Sequence, residues 1–341
     1  MKISYQVRKR IKRILTAILI LALVAAAAWG CWVIWLGRFV TYTRDEGAVL
    51  DFNISPEIPE GGHMEEPDDS TISIYYNEGE NAINTSTELT QLNGYYVDSA
   101  ALQKDVAAVK AQIQALPGEV PIMIAVKNIY GSFFYDSEVS AARSDSVSAE
   151  TVGELIKYLN DSNRYVIALA PALRDRDRGL HHTNDGLPDA AYNGGALWAD
   201  DEGCYWLNPA SQGTISYLIR IATELRSMGF DEVVFSEYRI PTHDRIMFSG
   251  DRAETLAATA ESLVTTCATE QFAVSFVGDG SWKLPEGRTR MYMQNVDAAD
   301  VDNKAEESAI ANPQVNLVFM TDLHDTRFDA YGVMRPLAAA H

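Results

Sequence analysis

Cysteine is scarce, with three in 341 residues at positions 31, 204 and 267. That number excludes a small disulfide-framed domain, and it leaves Cys204 and Cys267 as either one bridge or two buried thiols. Acid is missing from the first 44 residues, and charge of either sign is missing from 14–36. No GxGxxG or GxxxxGK[ST] follows an apolar run, which argues against a nucleotide site. No internal repeat is apparent beyond an alternation of strand-like and helix-like segments.

The missing charges fall together at the N-terminus. Lys2, Arg8, Lys9, Arg10, Lys12 and Arg13 precede the uncharged run, whose 23 residues make roughly 35 Å of helix, enough to span a bilayer. The sequence therefore predicts a cytoplasmic basic segment (1–13) and a single transmembrane helix (14–36), with everything beyond about residue 40 extracytoplasmic. Trp29, Trp32 and Trp35 suit the outer interface. A cleaved signal peptide is the competing reading, since the alanine tract 25–28 fits a peptidase site. The apolar run continues past that tract through CWVIWL, which favours an uncleaved signal-anchor. Cys31 lies inside the span, and Trp29–Gly30 before it make a poor lipidation signal.

What is abundant beyond the anchor is acid. From residue 39 onward, 21 Lys and Arg face all 47 Asp and Glu, a net charge near −26. Such a surface repels nucleic acid and anionic polymers. Residues 37–90, including SPEIPEGGHMEEPDDST and NEGENAINTSTE, are acidic and poor in apolar periodicity, as a solvated, disordered linker would be.

From about residue 91 short apolar runs alternate with helical patterns to the end of the chain. The runs are GYYVD, PIMIAV, YVIALAPAL, EVVFSEY, FAVSFVG, RMYMQNV, NLVFMT and a final YGVMRP. Helices are predicted at about 100–116, 149–160, 208–228, 252–269 and 304–311. Asn208 with Pro209 reads as a helix start, and Gly229 as the stop. Eight strands in such alternation predict a closed (β/α)8 TIM-type barrel over 91–341, with ligands met at the C-terminal ends of the strands. Met291 and Met293 alternate on a strand and read as core.

Two segments carry a resemblance. WADDEGCYWLNPASQGTISYLIRIATELRSMGFDEVVFSEYRIP contains a Trp, an acidic turn, a W-x-[DN]-P helix start, then G-F-D-E and a strand ending in R-[FI]-P. Upstream stand IMIAVKNIYGSFFYDS, with a V-K-x-x-x-G-x-x-x-Y hairpin, and YVIALAPALRD. Together they resemble the glycoside hydrolase-like domain family of bacterial extracytoplasmic proteins over roughly 93–300. The resemblance implies a TIM barrel acting on carbohydrate, a glycosidase if active. This sequence departs from the family pattern where acids are expected: Ala125 and Asn128 flank the V-K pair, Leu169 stands for an Arg, and Ser236 follows Phe235 where the family has Asp.

Glycoside hydrolysis needs two carboxylates across the scissile bond. The catalytic candidates are Glu237, Asp98 and Asp297, with Asp175 and Asp322 also at strand ends. Strand alternation predicts that Ser236 points inward and Glu237 toward the helices, beside a Lys or Arg, unless a bulge re-aims it. Asp98 also fits a helix cap, and Asp175 in RDRDRG a solvated charge run. Lys127, Asn128, Ser236, Tyr238 and Arg239 are candidates for binding substrate. Trp198 and Trp206, with Tyr205, either stack on sugars or pack their loop onto the barrel. His181, His182 and nearby Asp185 lack metal-ligand spacing, and no cofactor is implied. The expected partner is a carbohydrate polymer or cell-envelope glycan, together with the membrane. The alternative function is a barrel, a pseudoenzyme, that binds glycan or an envelope partner without hydrolysis.

Overall fold

The computed structural model describes residues 88–337, together with a short antiparallel pair, Val40–Thr43 with Gly47–Leu50. That pair falls inside the stretch read as linker. The 14–36 span lies outside the described residues, and among those described no helix is long and apolar enough to cross a membrane.

Eight parallel strands close into one barrel. They are β1 (Asn93–Val97), β2 (Ile122–Ala125), β3 (Val166–Pro171), β4 (Glu232–Ser236), β5 (Ala273–Val277), β6 (Met291–Gln294), β7 (Leu317–Met320) and β8 (Gly332–Pro336). The closing pair is β8 with β1, where Val333 partners Asn93. Alternation divides each strand between two cores. Met123, Ile167, Val234, Tyr292, Val318 and Met334 meet inside the barrel. Ile124, Ala168, Val233, Phe235, Val274, Phe276, Met291, Met293 and Phe319 face the helix layer.

The floor of the barrel is polar. Glu232 accepts hydrogen bonds from Tyr165 (2.9 Å) and Tyr292 (3.0 Å) and pairs with the buried Arg290. Its inward direction fixes the parity of β4: positions 232, 234 and 236 face the interior.

The helices α1 (Ser99–Lys104), α2 (Val106–Gln114), α3 (Ala149–Asp161), α4 (Arg176–His181), α5 (Gln212–Ser227), α6 (Arg252–Cys267), α7 (Val301–Glu307) and α8 (Pro313–Asn316) surround the strands. α5 buries Tyr217, Leu218, Ile221, Ala222 and Leu225, a stripe of period 3.6. Truncating Leu218 to Ala would cost about 2–5 kcal/mol.

Three expectations are corrected here, and one connection is without a helix, as the sequence implies. The single helix at 100–116 is two, because Asp105 is extended and its carboxylate caps the second through Ala108 N. Asn208 forms a turn with Ala210 N, and Ser211 caps α5 instead. The helix at 304–311 is shorter and is followed by the separate turn α8. No helix joins β5 to β6, and Trp282 packs edge-on to Phe276 in that connection. Gly229 does close α5, with φ +90 and Asn160 Nδ2 only 2.6 Å from where a Cβ would stand.

Candidate active site

Inward positions at the C-terminal ends of the strands are neutral. Alternation places Tyr96, Ala125, Leu169, Ser236, Val277, Gln294 and Met320 there. Tyr96 carries a phenol whose pKa is raised, first by burial and then by the charges of Asp98 and Asp322.

One residue beyond Ser236 the backbone leaves the strand geometry. Glu237 has φ +51, the left-handed region that non-glycine residues adopt at a cost of about 1–3 kcal/mol. This kink changes the expected alternation. Phe235 and Tyr238 both pack on Phe276, with ring centroids 6.1 and 4.6 Å away, while the partly exposed Glu237 between them is met by two arginines, the kind of partner the sequence predicts.

At the rim Glu237 lies between two guanidiniums. Its Oε1 is 3.7 Å from Arg174 Nη1 and its Oε2 3.7 Å from Arg239 Nε. Arg174 follows β3 and also meets Asp200 (2.7 Å) and Glu202 (3.2 Å), so three carboxylates surround one guanidinium. Trp206 donates to Asp200 at 3.0 Å, and its ring faces Arg239 at 4.7 Å. Burial works to raise the Asp200 pKa, but the Arg174 guanidinium, the Cys204 amide and the Trp206 indole outweigh it and hold the carboxyl below its usual value.

The other candidates divide. Lys127 is buried against Asp175 at 2.7 Å and donates to Pro171 O, beneath the surface, so it does not reach a ligand at the mouth. Tyr217 donates to the same Asp175 (2.8 Å), which corrects the reading of RDRDRG as a fully solvated run. Asn128 accepts from Tyr130 N and Ser132 N and builds a tight turn with Gly131. Tyr238 donates to Leu256 O and belongs to the core. Trp206 and Trp198 are 2% and 8% exposed, and Trp198 packs against His243, so neither ring is an open platform for sugars. Asp98 caps α1 through Ala101 N at 2.8 Å. Asp297 and Asp322 are exposed beyond β6 and β7, and among the described residues neither carboxylate is in a side-chain hydrogen bond or ion pair, although Asp297 O accepts from Asp300 N at 2.9 Å.

Two of the mouth's loops are tied together. Asp189, after β3, accepts from Arg245, after β4, at Nε (3.2 Å) and Nη2. Ala190 N donates to Arg245 O and Met247 N to Pro188 O. Asp185 is taken by Arg178 and Ser211. Among the described residues no three His, Cys, Asp or Glu are grouped to hold a metal ion. Sequence reasoning passed over Arg174, Asp200 and Glu202. Their signal was an acidic turn and the first arginine of a charge run, both in loops that a strand pattern does not orient.

The family comparison accords with this architecture. A family model described as "Putative glycosyl hydrolase domain" matches residues 95–275, and the chain belongs to that family. By that membership it is a candidate glycosidase. No curated protein matches the sequence. Among solved structures, a hypothetical protein from Ruminiclostridium thermocellum is 19% identical with TM-score 0.45, over 53% of this chain and 96% of that one. An exo-β-N-acetylglucosaminidase from Vibrio harveyi is 10% identical, TM-score 0.48, over 68% and 41% of the two chains. An α-galactosidase from Geobacillus stearothermophilus is 9% identical, TM-score 0.46, over 73% and 39%. The chain thus spans about two fifths of the length of these two enzymes.

Proposed function

We infer that this is a membrane-anchored, extracytoplasmic glycoside hydrolase-type barrel that takes polysaccharide at its C-terminal mouth, with Glu237 the carboxylate on which hydrolysis depends. Glu237 itself carries the reading. It is the acid at the end of β4, it occupies strained backbone, and it lies between two cations. Backbone strain of this kind clusters at active sites and ligand clamps, which makes the strand end a place to seek function. The role we assign to it is that of base or nucleophile, with the proton donor supplied by another mouth carboxylate.

A second reading, glycan or envelope-partner binding without hydrolysis, is favoured by the neutral Ser236 at the inward position. Release of reducing ends from a polysaccharide panel separates the two. Activity that falls about 10²–10⁴-fold in Glu237→Gln, the usual contribution of an acid or base, supports hydrolysis. A wild-type chain that binds polysaccharide and releases nothing supports the second reading. Anchoring rests on the basic segment before 14–36. Protease added to intact cells should digest the barrel, and a fully protected chain would refute the topology.

A further inference from the structure

Glu237 and Arg239 also bear on the kind of sugar the mouth accepts, given the reading above that polysaccharide enters there. The 3.7 Å separations on either side of Glu237 exceed hydrogen-bond range, about 3.2 Å for N–H to O. Among the described residues neither Glu237 oxygen accepts a hydrogen bond, and the Arg239 side chain donates none. Yet Arg239 is not loose. Its guanidinium lies over the Trp206 ring, and Trp206 is itself fixed by Asp200. A side chain 63% exposed is thereby held against a buried ring with its N–H groups given to no protein acceptor, next to a carboxylate 27% exposed whose oxygens accept from no protein donor. Arg174 differs, because Asp200 and Glu202 already occupy it.

We propose that Glu237 and Arg239 form a clamp for adjacent hydroxyls of an uncharged sugar residue. The carboxylate accepts from one hydroxyl and the guanidinium fork donates to the next. Charged sugars fit worse. A uronate or sulfate meeting Arg239 would also meet Glu237, with Asp200 and Glu202 beside Arg174, three anions against two cations, on a barrel whose 20 Lys and Arg against 35 Asp and Glu from residue 91 onward give a net charge near −15. An amino sugar meeting Glu237 would meet both guanidiniums. A hydroxyl, donor and acceptor at once, satisfies both partners without importing charge.

The test is affinity electrophoresis of the full detergent-solubilised chain in gels containing a neutral glucan, mannan or galactan, anionic polygalacturonate, or cationic chitosan. The expected result is retardation by a neutral polymer that persists at about 0.5 M salt, where charge attraction is screened within several Å. Arg239→Lys, which keeps the charge and loses the fork, should weaken it about tenfold at unchanged Tm, and Arg239→Gln should do likewise. Wild-type retardation in Arg239→Lys would overturn the clamp while leaving the polysaccharide mouth intact. Preference for polygalacturonate or chitosan would overturn the neutral class. Retardation by no polymer would remove the polysaccharide reading itself, and the clamp with it.

Discussion

Lys127 and Asp175 form a 2.7 Å ion pair with no exposed side-chain surface on either partner. Tyr217 completes the carboxylate, and the Phe133 and Tyr217 rings flank the ammonium at 6.0 and 5.9 Å. Removing one partner leaves the other charge buried and unpaired. Lys127→Met and Asp175→Asn should each lose about 3–5 kcal/mol in urea unfolding. The double variant should recover part of that loss.

Glu237 sets stability against function. Glycine adopts φ +51 freely, so Glu237→Gly should raise stability by about 1 kcal/mol while abolishing whatever the carboxylate does at the mouth. Thermal unfolding measured beside polysaccharide binding checks both halves. A destabilised glycine variant would show that Glu237 contributes more to folding than its strain costs.

Asp200 supplies a pH signature. Its folded pKa lies below the unfolded value, so its contribution is present above the ordinary Asp range, about 4, and is lost as pH falls through the folded pKa. Asp200→Asn should therefore be less stable than wild type at pH 7, and the gap should narrow below about pH 4. Asp231, raised chiefly by burial, has the opposite sign and should be left unaltered in this comparison.

Cys204 and Cys267 are separate buried thiols, which decides between the two readings of the sequence. Burial pushes the Cys204 thiol up to about 11 and raises Cys267 as well. In a Cys31→Ser background, a thiol reagent at pH 8 should label neither until denaturant is added, and both should react at once afterward. Fast labelling of the native chain would contradict the burial.

The strands were legible because a buried parallel strand has no polar face, so MIA, IALA and VVF stand out as continuous apolar runs. The break at Asp105 was not legible, because an acid in a helical pattern reads as surface until its capping geometry is seen. At the mouth, Ser236 could be assigned by alternation, but alternation ends where the backbone turns left-handed, and Glu237 is the residue that turns. Tryptophans 198 and 206 read equally as ligand platforms or as packing for their loop, because a loop pattern does not orient its rings, and their burial decides for packing. Here the loop is as hydrogen-bonded as an element, and its rings face inward.

The tie between Asp189 and Arg245 makes the loops after β3 and β4 a single inherited unit. In a barrel whose loops vary independently, a new specificity can arise one loop at a time. In this one, lengthening either loop without its counterpart strands a carboxylate or a guanidinium, so lineages that change this part of the rim should carry paired substitutions at both positions.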